Sequence, residues 1–407
     1  MINKMRIARI RHLFYPEMPQ DYFYELSARQ AEQGHEVHVL TWNKSGEYSQ
    51  NISGQGFIIH RLQGLNYGFF GAIHEYPFLL GLPSELESIK PDIVHGESHL
   101  FLPSLQALRQ ANYSNLPYVV TIHGVFASRS LAVNLAQKTY LHAISRVFKS
   151  ADRIICLTES DAEEIVKFGF SPEKIRLVPN AVDTERFRPC NEQNDDLIIW
   201  IGRFVPEKGL EYLVEAAKTV VNMFGNVRFL LIGYGPLKTK IMKLASDSGM
   251  LGKSIFFGDT MSRDEIAKIL CKASIFAFPS LKEGLPLSVL EAMACGLPVV
   301  GFDISGVRDL VRHDETGLLV PPRNSKLLAE AIKCLLNDKS LKRKFGRRAR
   351  QIATEKYDWK TVLTALENVY REAIDESQSV IRTPLETKKT ISFLIENSYD
   401  TAIQQLF

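Results

Sequence analysis

No stretch of about 18 consecutive apolar residues occurs, so no transmembrane helix is read from this chain. The segment MINKMRIARIRHLFYP at the start spreads basic residues through its apolar ones. It lacks the unbroken apolar core and small-residue cleavage site of a signal peptide, and a cytoplasmic chain is expected. Net charge is small, +3 over 407 residues, which gives no ground for a nucleic-acid partner. No two cysteines form a CxxC pair. Cys156, Cys190, Cys271, Cys295 and Cys334 lie far apart, and the expectation is five small buried hydrophobes in a reducing compartment. Internal repeats and low-complexity tracts are also missing.

What is present is an alternation of short apolar runs and helical patterns. At 45% hydrophobic and 23% charged the chain is an ordinary globular one, long enough for two or three domains. Expected strands are Ile7–Leu13, Glu36–Thr41, Phe57–Leu62, Asp92–His95, Tyr118–Ile122, Arg153–Leu157 and Ile175–Val178. A polar, aperiodic stretch at 189–196 reads as a linker. A second series follows at Leu197–Ile201, Arg228–Ile232, Ile255–Phe257, Ile275–Phe278, Val299–Phe302 and Leu318–Val320. Strands alternating with helices imply parallel sheets covered on both faces, hence an α/β fold. Helices are expected at Tyr22–Gln33, Ala132–Lys149, 210–223 and 325–372.

Two segments carry chemistry. In PSLKEGLPLSVLEAMACGLPVV, Glu283 falls on the loop before a helix and Glu291 inside that helix. Gly284-Leu285-Pro286 is a turn, and the amides of Gly284, Leu285 and Leu287 at the helix start form an anion site. The bland alternative is a helix cap and a solvated acid. In LIIWIGRFVPEKG, a strand, Gly202 and a helix place Arg203 and Lys208 beside a second phosphate-sized turn. Here the alternative is pairing with Glu207 or Glu211.

Together these segments resemble glycosyltransferase family 4, the retaining nucleotide-sugar transferases of GT-B fold. The resemblance covers roughly residues 5–375. It rests on Gly202-Arg203 with Lys208-Gly209, on Glu283-Gly284-Leu285-Pro286 running to Glu291 and Gly296-Leu297-Pro298, and on Thr316–Pro321. Val178–Asp183 and Thr121-Ile122-His123-Gly124 also fit.

The resemblance implies two Rossmann-like doubly wound domains facing a cleft: 1–188 on the acceptor side and 197–358 on the nucleotide-sugar side. A helix at 359–376 would cross back to the first domain, and the tail 377–407 has no assigned role. Arg203, Lys208, Glu283 and His123 are implied catalytic residues. Gly202, Gly284, Leu285, Pro286, Leu287, Glu291, Gly233, Tyr234, Thr260 and Met261 are implied donor contacts, with Glu291 on the ribose and Glu283 on the sugar. His95, also at a strand end, is a weaker candidate.

The implied partners are a nucleotide-diphosphate sugar and a glycan, lipid-linked or small-molecule acceptor. No metal is expected, because no DxD pair is present, and His35 and His38, three apart on a strand, face opposite sides. Alternatives are a phosphorylase or epimerase of the same fold, or a non-catalytic nucleotide-sugar-binding subunit. The chain departs from the family in its first loop, Pro16–Asp21, which has no glycine. It also has Arg308-Asp309 where a glutamate is usual, and Ala181 after Asn180.

The helix from Arg129 to Lys149 and the aromatic loop Tyr67–Gly71 admit two readings, ordinary packing or peripheral contact with the inner membrane surface. The basic run Lys339–Arg350 reads as a solvated helix face.

Overall fold

The computed structural model describes residues 4–14, 21–44, 49–53, 55–66, 77–124, 142 and 144–379. Most of the expected helix 132–149, the loop Tyr67–Gly71, Pro16–Gln20 of the first loop and the tail beyond Ser379 lie outside them.

The first half forms an eight-stranded sheet from β1 (Arg6–Ile10), β2 (Glu36–Trp42), β3 (Ser49–Ile52), β4 (Ile58–Leu62), β7 (Ile93–Glu97), β8 (Tyr118–Ile122), β9 (Arg153–Cys156) and β10 (Ile175–Leu177). Its order is β10-β9-β8-β7-β1-β2-β4-β3, parallel except for the β3–β4 pair. β5 (Gly64–Asn66) and β6 (Pro77–Leu79) make a separate antiparallel ribbon. The second half forms a six-stranded parallel sheet from β11 (Leu197–Ile201), β12 (Arg228–Ile232), β13 (Ile255–Gly258), β14 (Ile275–Phe278), β15 (Val299–Phe302) and β16 (Gly317–Val320). Its order is β13-β12-β11-β14-β15-β16. The side on which successive strands are added switches between β11 and β14 in the second sheet and between β1 and β7 in the first, while the strands themselves stay parallel. Crevices at such switch points, beyond the carboxyl ends of the strands, are where these sheets bind ligands.

Side-chain alternation sends neighbours to opposite faces of a strand. Ile7 and Val39 therefore join one core cluster, and Ala8 and Leu40 another. The helix Trp359–Ser379 supplies the cover for the first of these. Trp359, Val362, Leu363, Leu366, Val369, Tyr370 and Ala373 repeat at three- and four-residue spacing and are all buried against Ile7 and its neighbours. Each large apolar side chain so buried contributes about 1.5–3 kcal/mol, which holds the end of the chain on the first domain. Among the described residues no helix is long and apolar enough to cross a membrane.

Two sequence expectations need correction. Cys190 and Cys271 are joined in a disulfide with a Cα–Cα separation of 5.4 Å, while Cys156 and Cys295 are buried thiols and Cys334 is exposed. The polar linker runs along the end of the helix Arg263–Leu270: Asn194 donates its amide to the Lys272 carbonyl (2.7 Å) and Gln193 donates to that of Ala273 (2.9 Å). A separation of 81 residues hides that adjacency in the sequence. The basic run on the helix Lys339–Lys356 is only partly solvated. Lys342 is buried and pairs with Asp195 (3.0 Å), and Arg350 donates to the carbonyls of Thr184, Phe187 and Ala294.

Candidate active site

The phosphate-sized turn after β11 is built by backbone packing. Gly202 donates to the Ile232 carbonyl (3.1 Å), and Phe204 to that of Tyr234 (2.7 Å), so the turns after β11 and β12 lie directly on one another. Gly233 has φ +142°, and a Cβ placed there would lie 1.9 Å from the Gly202 oxygen. Only glycine fits that approach. Lys238 fastens the second turn, donating to the carbonyls of Gly233 (3.1 Å) and Gly258 (2.9 Å) and pairing with Asp259 (2.6 Å). Tyr234 and Thr260 are exposed, and Met261 lies half-buried beyond β13.

The turn after β11 is also stitched to the segment after β14, since Leu281 donates to the Glu207 carbonyl (2.7 Å). This brings Lys208 to Glu283, with Nζ to Oε1 at 2.5 Å. Lys208 is thus paired with neither Glu207 nor Glu211. Arg203 is exposed and makes no ion pair or side-chain hydrogen bond among the described residues. The loop that carries Glu283 is supported from behind by Gly306, whose φ is +79°. A Cβ there would fall 1.8 Å from the Gly284 oxygen. Asp309, the shorter acid at the unusual position, accepts from the Gly306 amide (2.9 Å) and from Ser160 Oγ of the first domain (3.1 Å). It therefore fixes the loop and ties it across the domains.

The helix Leu287–Ala294 starts at Pro286, with no side-chain cap. Val289 and Leu290 bond the Pro286 carbonyl, but the amides of Gly284, Leu285 and Leu287 donate no backbone bond among the described residues. Unpaired N–H groups at a helix start attract anions through both hydrogen bonding and the helix dipole. The Leu285 and Pro286 side chains are buried, so these two residues offer backbone rather than side chain. Asn180 donates to the Leu285 carbonyl (2.9 Å) and holds the turn from the first domain.

Glu291 is placed differently from Glu283. It is 7% exposed and pairs with Arg263 (3.1 Å), a residue the sequence reading did not single out. Burial pushes the Glu291 carboxyl above its ordinary pKa, against the opposing pull of Arg263. Arg263 also faces Glu25 of the first domain (3.6 Å), which accepts from Arg29 (3.0 Å) and Trp359 Nε1 (3.1 Å). Arg186 joins Glu25 (3.5 Å) to Asp264 (3.1 Å). A chain of charges thus runs from Glu291 through the domain boundary. Ser262 and Glu265 before and after Arg263 form a reciprocal capping box, which was the sequence signal for a helix start there.

Across the cleft, a Cβ on Gly284 would lie 3.2 Å from the His123 carbonyl, so His123 borders the Glu283 loop. Its Nε2 lies 3.1 Å from Glu97 Oε2. His95 is buried, with its ring nitrogens 2.7 Å from both Tyr370 Oη and Thr121 Oγ1. Burial pushes its pKa down to about 4, so it is neutral near pH 7 and is committed to packing rather than to the cleft. Two cations, a carboxylate and amides without a partner among the described residues, beyond the carboxyl ends of the central strands β11 and β14, can hold a diphosphate and a hydroxylated group beside it.

Comparison with known proteins agrees with this fold. Residues 20–186 match the family model described as Glycosyltransferase Family 4, and residues 182–352 match that described as Glycosyl transferases group 1. The chain is 29% identical to the Escherichia coli UDP-Gal:alpha-D-GlcNAc-diphosphoundecaprenol alpha-1,3-galactosyltransferase, over 66% of this chain and 72% of that one. Sucrose-phosphate synthase from Thermosynechococcus elongatus has the same fold, with a TM-score of 0.76, 20% identity and coverage of 92% of this chain and 100% of that one. TarM of S. aureus, solved with fondaparinux, alpha-GlcNAc-glycerol and UDP, gives a TM-score of 0.62 at 25% identity, covering 81% and 68%. With residues 20–352 matched by these two models and the two doubly wound sheets in place, the chain belongs to the family 4 glycosyltransferases of GT-B fold.

Proposed function

We propose that the chain moves a sugar, with retention, from a nucleotide-diphosphate sugar to a hydroxyl of a glycan, lipid-linked or small-molecule acceptor. The observation that carries this reading is the Lys208–Glu283 pair, with Arg203 and the helix amides that have no partner among the described residues. In transfer, the acceptor oxygen bonds to the anomeric carbon as the bond from that carbon to the phosphate oxygen breaks. The acceptor proton goes to the departing phosphate, which leaves on the same face. Arg203, Lys208 and the amides of Gly284, Leu285 and Leu287 would neutralise the diphosphate as its charge grows. Glu283, anchored by Lys208, would accept from sugar hydroxyls, and Glu291 from the ribose. No carboxylate is assigned as a covalent nucleophile, since Glu283 is held by Lys208.

Two relatives support a uridine nucleotide, one through its name and one through its bound UDP. A lipid-linked acceptor would bring the first domain to the membrane surface. There the exposed Leu65 and Phe78 pair across the β5–β6 ribbon.

Thermal shifts with UDP, GDP and ADP test the donor site. UDP at 100 times its Kd should stabilise the chain by about 2.7 kcal/mol, and GDP and ADP by less. No stabilisation by any of the three would remove the donor-site assignment.

Because the cations and amides already supply positive charge, transfer should continue in excess EDTA at close to its full rate. A loss beyond about tenfold, restored by Mg²⁺ or Mn²⁺, would assign some 1.4 kcal/mol of stabilisation to an ion.

A further inference from the structure

The first domain has its own charged cluster at its own switch point. Arg9 on β1 is fully buried, and its guanidinium binds Oε1 of Glu97 and the Gln30 side-chain oxygen. Glu97 ends β7, next to β1, and His123 follows β8, next to β7. The two Glu97 oxygens are divided: Oε1 goes to Arg9, and Oε2 lies 3.1 Å from His123 Nε2. Phe23 meets the His123 ring edge-on, with centroids 5.2 Å apart. The His123 side chain is 26% exposed, and its Nδ1 has no partner among the described residues.

A buried ion pair is a weak source of stability, because desolvation offsets most of its attraction. An apolar pair would fill this space as well. What an apolar pair would lack is a fixed acceptor aimed at His123, which borders the Glu283 loop.

We infer that Glu97 is a positioning residue for His123, fixing the imidazole as the Nε2–H tautomer and leaving the bare Nδ1 to accept a hydrogen bond from a ligand hydroxyl in the cleft. This rests on the placing of His123 in the transfer site. An ionised carboxylate can only accept, so the proton between Glu97 and His123 belongs to Nε2. Burial would push the Glu97 carboxyl up, but the opposing pull of its neighbours, with Arg9 as the permanent charge among them, outweighs it and holds the group well below the ordinary carboxylate range. The same division of labour, a buried acid that sets the tautomer of a working histidine, operates in hydrolase triads.

Glu97→Gln gives a sharp test, because Arg9 has donors only and would take the amide oxygen. The amide NH₂ then faces Nε2, which must accept, and the proton moves to Nδ1. Nitrogen-15 NMR of the imidazoles in the full chain, assigned with His123→Asn, should show the His123 ring pattern inverted in Glu97→Gln and kept in Glu97→Asp. UDP release from UDP-galactose, UDP-glucose or UDP-N-acetylglucosamine, whichever the wild type turns over, should fall about tenfold or more in kcat, with the Kd for UDP unchanged. If Arg9 without its counter-charge unfolds Glu97→Gln, the pair Arg9→Gln with Glu97→Gln removes both charges; its amides can turn either face to His123, so the ring should no longer be held in the wild-type pattern alone. An unchanged ring pattern, or full turnover with the pattern inverted, overturns the inference. Full turnover in His123→Asn would instead overturn the placing of His123, and the ring pattern would still report what Glu97 does.

Discussion

Lys208→Ala should lower kcat/KM by about 10²–10³-fold, the largest loss expected from any single substitution in the site. Two effects combine. The departing diphosphate loses a compact cation, and Glu283, only 10% exposed in its side chain, loses its partner at 2.5 Å. An unpaired, largely buried carboxylate next to a diphosphate repels it and is free to turn away from the sugar. Glu283→Gln alone should cost less, because the amide still accepts hydroxyls. In the double variant the repulsion is absent, so the combined loss should be smaller than the product of the single ones.

Arg203→Ala should produce a comparable kinetic loss with no change in Tm, since Arg203 is exposed and has no ion-pair partner among the described residues. Steady-state kinetics on the donor, with thermal melts of each variant, would decide the matter. Near-wild-type turnover in both cation variants would remove the proposed diphosphate site.

The parts of this architecture written in local sequence were readable. β11, its glycine turn and the following helix occupy one continuous segment, as do β14, the Glu283 loop and the helix Leu287–Ala294. Their chemistry needs particular residues at fixed short spacings. Partnerships made between distant elements were not readable. Arg9 and Glu97 are 88 positions apart and meet only because β1 and β7 are neighbours in the sheet. Arg263 stood in the sequence as one more basic residue at a helix start, and Glu25 as one more surface acid. Neither residue type signals a buried charge chain, which depends on how the two domains and the last helix dock. Strand ends were also blurred: β1 stops at Ile10, although the apolar pattern runs on to Leu13. The ribbon strands β5 and β6 are too short to show a period, and the edge strand β3 is short and mostly polar.

Arg263→Gln should lower the Tm at neutral pH, and the loss should shrink as the pH is lowered. Glu291 is nearly inaccessible, and Arg263 is the first cation on it. Breaking one side of a buried pair costs about 3 kcal/mol or more, on the order of 6–12 °C for a domain of this size. The sign follows from linkage. Burial already raises the folded-state pKa of Glu291 above its unfolded value, and Arg263 holds that rise in check. Without the arginine the folded carboxyl binds its proton more tightly still. Between the unfolded and folded values the native state carries more protons, so stability falls as the pH rises through that window. The variant's window reaches further up, and its deficit against the wild type should be large near pH 7.5 and small near pH 5. Nucleotide affinity should run the other way. A protonated Glu291 no longer offers a charged acceptor to the ribose, so UDP binding by the variant should weaken about tenfold and grow no stronger as the pH falls. Melts and titration calorimetry from pH 5 to 8 measure both. A Tm difference that stays constant over that range would show that Glu291 does not depend on Arg263 for its charge. UDP affinity equal to that of the wild type at pH 7.5 would show that the ribose is held elsewhere.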